Sequence, residues 1–273
     1  MMNKNAYDFE YEYEEFPFLN VPRPSQKAEY EVTDYSIDLI QELYPEYKDK
    51  KRWIKEQCRK PRAQMSTRGA WLRRNTCDNE PYINVVADIL TSSKRIYEKT
   101  EEELSDAERV FRRIYHSCGN ILPVCEGINT RWGSPDTALH KLEIIREHLT
   151  NKWYNKKALD TLDTVRNKIT NGEILGTGIS DRGCLKYWIA QEYGKTLWKA
   201  FIDNNYLQDY VRDINSDDPE LITINENDED GMIKEYNRLI ISRGYRIYNK
   251  KTITEEILNE ILDEIRKNLS STK

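Results

Sequence analysis

Residues 115–129 read YHSCGNILPVCEGIN, and the interpretation of this stretch decides the fold expected for the chain. A periodic apolar segment precedes it and a helix start follows it, so the stretch is predicted to be a turn between two helices. In that interpretation Gly119 supplies a left-handed cap at the end of the first helix. Asn129 then braces the loop through bonds from its side chain to the backbone.

The flanking segments carry the signals of helix ends. Ser105 and Glu108 form the sequence of a capping box, in which each side chain satisfies a free amide of the other residue. The apolar face of the helix that follows consists of Val110, Phe111, Ile114 and Tyr115. An earlier helix is predicted from Tyr82 onwards, with these apolar positions: Val85, Val86, Ile89, Leu90 and Ile96.

The segment after the turn is predicted to be another helix. Ser134 can cap this helix, Pro135 suits its first position, and Asp136 suits the positive end of the helix dipole. Its apolar residues are Leu139, Leu142, Ile145 and Leu149. The chain ends in two further predicted helices, at about 231–243 and 253–269. The last of these has a clean apolar stripe opened by a Thr252/Glu255 capping box. The stripe consists of Ile253, Ile257, Leu258, Ile261, Leu262, Ile265 and Leu269.

These patterns predict a mostly α fold, a single compact domain of about eight to ten helices with an extended N-terminal arm. Residues 1–33 form that acidic and aromatic arm, which packs over the body; its stretch YEYEE could be a strand, but no partner for it is evident. Residues 34–214 form the main helical domain. Residues 215–273 form an acidic connector and a C-terminal helical hairpin packed on the main domain.

The composition limits the class of protein. A chain of 273 residues is long enough to bury a core, and its net charge of −5 argues against a wholly basic nucleic-acid binder. The N-terminus is acidic and unlike a signal peptide, and no apolar run approaches the ~20 residues that span a bilayer. Five cysteines, an odd number, fit reduced thiols better than a disulfide framework. A cytoplasmic protein without membrane contact is expected.

One segment departs from the acidic composition. Residues 48–74 hold eleven Lys or Arg and only two acids. Lys and Arg neutralise phosphates, and tryptophans between them can stack on exposed bases. The candidate nucleic-acid-binding residues are Lys51, Arg52, Trp53, Arg59, Lys60, Arg62, Arg68, Trp71, Arg73 and Arg74. The alternative is that this basic face docks onto the acidic arm at residues 8–15.

The opening stretch also contains soft metal ligands, namely His116, Cys118 and Cys125, with Cys184 or His140 available to complete four. Tetrahedral zinc needs four ligands with matched local spacings, which H-x-C-x6-C does not provide. Free cysteine is among the most buried residue types. Buried thiols are therefore favoured over a metal site.

Residues 116–145 resemble the tail of the HNH-type nuclease module of GmrSD-like restriction and phage-defence proteins. Residues 119–123 read GNILP, and Asn129 follows nine residues after the first asparagine. A serine-containing turn and a helix with a lysine, here Lys141, come next, as in that family. The family also has an Asp-His pair upstream, and this chain has none before His116.

The resemblance implies a nucleic-acid-contacting protein of bacterial or phage type, with a degenerate HNH-like module in a defence system. If the module cuts, the implied catalytic residues are His116, Asn120 and Asn129, with Mg²⁺ or Mn²⁺ as the cofactor. Whether the chain is an enzyme stays open. The alternative is a protein-interaction or oligomerisation module, which uses the N-terminal arm or the C-terminal helix to bind a partner or a second copy.

Overall fold

The computed structural model describes residues 9–22, 85–90, 96, 98–124, 138–150 and 197–271, and this part of the chain is mostly α-helical, as predicted. Its helices and strands are β1 (Phe9–Tyr11), a 3-10 helix (Pro17–Leu19), β2 (Val21–Pro22), β3 (Val85–Asp88), α1 (Asp106–Ile114), β4 (Ile121–Val124), α2 (His140–Thr150), α3 (Leu197–Asn204), a 3-10 helix (Gln208–Tyr210), α4 (Glu229–Asn249) and α5 (Glu255–Ser271). The expected total of eight to ten helices stays a prediction.

Helix α1 begins at the predicted capping box. The Ser105 hydroxyl accepts a hydrogen bond from the Glu108 amide at 3.2 Å, and the Glu108 carboxylate accepts one from the Ser105 amide at 2.8 Å. Burial opposes ionisation of Glu108. The hydrogen bonds from Lys99 and Ser105 outweigh that burial, so the pKa of Glu108 is lowered. The buried face of α1 packs on α4.

Helices α4 and α5 follow each other along the chain as a hairpin, and their caps are as follows. Asp228 caps α4 at the Gly231 amide, and Lys250 ends it in a left-handed conformation at φ 56°. Helix α5 is capped by Thr254, which accepts a hydrogen bond from the Ile257 amide at 3.3 Å. The predicted Thr252/Glu255 box is therefore wrong. The hydroxyl of Thr252 accepts instead from the Arg246 guanidinium at 3.0 Å.

The prediction of a helix through Val85 and Val86 is wrong, because these residues form strand β3. Strand β3 pairs antiparallel with β4, with Val85 opposite Val124 and Asp88 opposite Ile121. The two strands are far apart in the chain, and α1 lies between them. Two adjacent valines fit a strand as well as a helix face, so a partner that is distant in sequence decides between them.

Residues 9–22, the described part of the N-terminal arm, supply their own strand partner. Strand β1 ends at Tyr11, the first residue of YEYEE, and pairs antiparallel with β2, so the expectation that a strand there has no partner is wrong. Phe18 and Leu19 between the strands are buried in the core. Phe18 lies against α4 at Gly244, where an added Cβ would come within 2.7 Å of the Phe18 ring. The described part of the arm thus contributes to the core.

Helices α2 and α3 pack against each other beneath the acidic connector. Leu139, Leu142 and Ile145 are buried, as the periodicity predicts. Hydrogen bonds join the connector to this region. Trp198 Nε1 donates to Pro219 O at 2.8 Å, and Arg146 donates from Nη2 and Nε to Asp218 Oδ1 at 3.1 and 3.3 Å. Ala138 N, just before α2, donates to Glu226 Oε1 at 2.7 Å. The connector therefore lies along the body. Among the described helices, none is long and apolar enough to cross a membrane.

Candidate functional site

Asn120 joins the end of β3 to the end of α1. Its side chain is fully buried, and its Oδ1 accepts a hydrogen bond from the Leu90 amide at 2.9 Å. Its Nδ2 donates to the carbonyls of Leu90 at 3.1 Å and Tyr115 at 2.9 Å. Its own carbonyl accepts from the Ile89 amide at 2.7 Å. In this geometry Asn120 braces the backbone, while the catalytic role that the resemblance implies for it stays a prediction.

Gly119 is required for a reason other than the predicted left-handed cap. Its backbone is not in the left-handed region, so that expectation is wrong. A Cβ at this position would lie 1.9 Å from the carbonyl oxygen of Ile240 and 3.1 Å from the amide nitrogen of Gly244. Glycine is needed because the turn approaches the backbone of α4 closely.

Arg243 of α4 holds the same turn from the other side. Its side chain is fully buried. Its Nη1 donates to the carbonyls of Cys118 at 2.9 Å, Gly119 at 3.0 Å and Ile121 at 2.7 Å, and its Nε donates to the carbonyl of Asn205 at 2.9 Å. A buried guanidinium is costly unless it is hydrogen-bonded, and these four carbonyls accept from its Nε and Nη1 atoms.

The cysteine of the turn is a buried thiol. Cys118 has no exposed surface, and its thiol donates to the Phe18 carbonyl at 3.3 Å. Among the described residues, no group of three His, Cys, Asp or Glu side chains could hold a metal ion. Cys125 and Cys184, the other cysteines considered as zinc ligands, lie outside the described residues.

His116 and Asp88 form an acid–histidine pair in space. The Nδ1 atom of His116 lies 3.4 Å from Oδ1 of Asp88, and the two side chains are 23% and 14% exposed. Lys141, at the start of α2, donates a hydrogen bond from Nζ to the Asp88 carbonyl. The end of β3, the end of α1 and the start of α2 therefore bring three functional side chains together. We call Asp88, His116 and Lys141 the strand-end cluster.

The strand-end cluster combines an imidazole beside a carboxylate with an ammonium bound at the backbone carbonyl of the same aspartate. A divalent cation fits poorly, because Asp88 and His116 give only two side-chain donors and Lys141 lies next to them. Among the described residues, the donor set does not fit Mg²⁺ or Mn²⁺.

Asp88 was missed by sequence reasoning because it falls in the segment predicted to be a helix. The consecutive valines before it, both β-branched, were a signal for a strand that ends at this acid. His116 was identified, and Lys141 was noted within the resemblance. Asn129 lies outside the described residues.

The ten candidate nucleic-acid-binding residues of segment 48–74 also lie outside the described residues. Several basic side chains of the described part are paired with acids. These ion pairs are Arg109–Asp106, Arg112–Glu101, Lys234–Asp230, Arg238–Glu235, Arg246–Asp209 and Arg266–Asp263. Paired surface cations attract phosphates weakly.

No protein-family model matches the chain, and neither the curated proteins nor the solved structures contain a match.

Proposed function

We propose that this chain is a cytoplasmic nucleic-acid-contacting protein of bacterial or phage type, with an HNH-like module that serves in phage defence. In this proposal the chain is one compact domain of about eight to ten helices. The observation that carries it is the approach of His116 Nδ1 to Asp88 Oδ1, at 3.4 Å. The resembling family has adjacent Asp and His residues, whereas here an acid and a histidine meet through the fold.

The position of His116 suits contact with a ligand. Its side chain is 23% exposed, so solvent and small groups reach it, whereas Asn120 beside it is fully buried. Lys141 contributes a cation at the same strand end. A phosphodiester has the negative charge and the oxygen acceptors that such a cluster would bind. In the proposal, therefore, His116 faces the nucleic acid, while Asn120 and the largely buried Lys141, which is 8% exposed, support it.

Segment 48–74 supplies most of the affinity in this proposal. Eleven basic residues in one segment provide the phosphate contacts that the acidic remainder of the chain lacks. Such contacts are independent of base sequence and strongly dependent on salt. The strand-end cluster, with a single lysine, would add little to the affinity. Binding and site chemistry are thus separable by mutation.

The experiment is fluorescence anisotropy of labelled single- and double-stranded DNA and RNA over a salt series. The double variant Arg73→Ala with Arg74→Ala should weaken binding to all sequences and reduce the salt slope by about 2. The matched control is Arg266→Ala with Lys267→Ala, which removes two cations from α5 and should leave binding unchanged. Equal binding by wild type and the Arg73/Arg74 variant would refute the proposal.

Nuclease assays with Mg²⁺ or Mn²⁺ decide whether contact leads to cleavage. His116→Gln keeps the size and a hydrogen-bonding end but removes the proton acceptor. Loss of cleavage with unchanged anisotropy would assign the reaction to His116. Equal cleavage by both proteins would exclude it.

The alternative, an interaction or oligomerisation module, has a weaker basis in the geometry. Phe18 and Leu19 of the arm are buried in the chain's own core, as are Leu258, Ile261 and Ile265 of the α5 stripe. The residues expected to bind a partner are thus largely used internally. The mass in solution, measured over a wide concentration range, tests self-association. A mass that rises with concentration would favour it, and a constant monomer mass would refute it.

A further inference from the structure

We propose that Tyr206, Lys250 and Lys251 bind phosphates of a nucleic-acid backbone, in addition to segment 48–74. We call these three residues the helix-end corner, because Tyr206 lies just after the end of α3 and the two lysines follow the end of α4. The inference rests on the proposed function and adds a contact surface to it.

The two lysines lie in a stretch of sequence that differs from the acidic remainder of the chain. Residues 236–254 contain five basic residues and no acid. Three of the five are used within the fold, two in ion pairs and one in the core: Arg238, Arg246 and Arg243. Lys250 and Lys251 are exposed, and among the described residues neither forms an ion pair with an acid. The positive charge of this stretch that can reach a ligand therefore lies at these two lysines.

Tyr206 and Lys250 hold each other at the surface. The Lys250 ammonium donates to the Tyr206 hydroxyl at 2.7 Å and lies 4.4 Å from the centre of its ring. Both residues have positive φ, 57° and 56°, a left-handed conformation that bulky side chains seldom adopt. Strained backbone of this kind recurs at ligand sites, where the surrounding contacts maintain it. An ammonium and a phenol are thus fixed side by side before any ligand binds.

Arg246 fixes the two helix ends relative to each other. Its Nη2 atom donates to both carboxylate oxygens of Asp209, at 3.0 and 2.9 Å, and its Nη1 atom donates to the Thr252 hydroxyl at 3.0 Å. Asp209 follows Tyr206 closely in the chain, and Thr252 comes directly after Lys251. Because Arg246 neutralises Asp209, this acid repels a phosphate at the helix-end corner only weakly.

A phosphodiester matches the donors of the helix-end corner. Each ammonium carries a positive charge and N–H donors. The Tyr206 phenol accepts from Lys250 and can still donate its own hydrogen. Lys and Tyr side chains are common donors to phosphates, and such contacts do not read the base sequence. The helix-end corner should therefore add affinity without specificity.

Nucleic acid is favoured over the other common polyanion, an acidic peptide. Both carry negative charge along a chain. A nucleic acid can in addition engage segment 48–74, whose tryptophans can stack on bases. One ligand can then use both basic regions of the protein.

The test is fluorescence anisotropy of the full chain with a labelled single strand and a duplex over a salt series. The variant is Lys250→Gln with Lys251→Gln. Its affinity should fall, and the slope of log affinity against log salt should become shallower by about 1.4 on the single strand and about 1.8 on the duplex, as for two lost phosphate contacts.

The matched control is Arg266→Gln with Lys267→Gln on α5. It changes the net charge by the same amount, but it removes cations that are already paired with Asp263 and Glu264. The control should bind like wild type. Equal effects of the two double variants would overturn the inference, because overall charge would then explain both.

Tyr206→Phe tests the phenol alone. It keeps the ring beside the Lys250 ammonium and removes the hydroxyl. Affinity should fall about 2- to 10-fold, the effect of one neutral hydrogen bond, while the salt slope stays as in wild type. Affinity equal to that of wild type would overturn the part assigned to Tyr206.

The outcomes separate this inference from the proposed function. If the Arg73/Arg74 double alanine variant binds weakly and the Lys250/Lys251 variant binds like wild type, the inference fails and the proposed function stands. If wild type binds no nucleic acid at low salt, the proposed function fails and the inference fails with it. Labelled polyglutamate that binds wild type as tightly as nucleic acid, and the Lys250/Lys251 variant less tightly, would overturn the choice of ligand in favour of an acidic peptide.

Discussion

The turn at 115–121 and the hairpin of α4 and α5 are both buried against the same core, but different forces hold them. The hairpin is held by apolar side chains, such as Ile240, Ile261 and Ile265, that are fully buried. The turn is held by hydrogen bonds from Asn120 and Arg243 to backbone carbonyls. The stability lost with an apolar side chain varies with the volume removed. Removal of one member of a buried polar network instead leaves its partners without hydrogen bonds.

The largest effect is expected from Arg243→Met, which keeps bulk but leaves four buried carbonyls without their donor. The free energy of unfolding should fall by about 3–5 kcal/mol, because each buried acceptor left without a donor costs about 1–3 kcal/mol. Arg238→Met is the control, because that guanidinium is partly exposed and paired with Glu235 on the same helix. It should cost less than about 1 kcal/mol. Denaturant titration measures both, and equal losses would contradict the polar account of the turn.

The stability of the hairpin should depend on the volume of its buried side chains. Ile261→Ala removes a fully buried side chain of α5 and should lower the free energy of unfolding by about 2–4 kcal/mol. Leu262→Ala, at the half-buried position next to it, should cost less than half as much. Thermal unfolding of the two variants, followed by circular dichroism, provides the comparison. A larger loss for Leu262→Ala would mean that the stripe packs differently.

Gly119→Ala tests the close approach of the turn to α4. The new Cβ would meet the Ile240 backbone, which cannot rotate away, so about 2–3 kcal/mol should be lost. At Gly231, by contrast, an added Cβ meets the side chain of Asp228, which can move at the cost of its cap. Gly231→Ala should therefore cost about 1 kcal/mol. The measurement is the urea midpoint of each variant, and Gly119→Ala should have the lower one. A lower midpoint for Gly231→Ala would exclude close approach as the reason for Gly119.

The smallest effect is expected at the local capping box of α1. Ser105→Ala should cost about 1 kcal/mol, and Ser105→Thr, which keeps the hydroxyl, much less. The pKa of Glu108 is lowered in the folded protein, so its contribution is complete above its unfolded pKa near 4.5. That contribution is lost as the pH falls through the lower folded value. Urea midpoints of wild type and Glu108→Gln should therefore converge below pH 4.5, and a constant gap would refute the linkage.

The contrast between the apolar hairpin and the polar turn also explains how much of the fold the sequence could predict. The α5 stripe repeats at helical spacing, so its buried residues were identified, and its end was placed within two residues. The Ser105/Glu108 box joins residues three apart and was equally readable. Both signals depend on neighbours along the chain, which a single sequence displays directly.

The polar contacts of the turn could not be predicted in this way. Asn120 reaches Leu90 across 30 residues, and Arg243 reaches Gly119 across 124. Nothing in the local pattern distinguishes Arg243 from a solvent-facing arginine on α4. The strand at Val85 and Val86 was missed for the same reason, since its partner strand is distant in sequence. With that strand unrecognised, Asp88 could not be placed beside His116.

The most direct test of the central claim, that the strand-end cluster meets nucleic acid, is the His116 NMR signal during a titration with DNA or RNA. The chain's few histidines make the signal easy to follow, and His116→Gln identifies it. The account predicts that the signal shifts as nucleic acid binds, and that the Arg73/Arg74 double alanine variant needs more ligand for the same shift. Binding seen by anisotropy with an unmoved His116 signal would contradict the account and place the contact elsewhere.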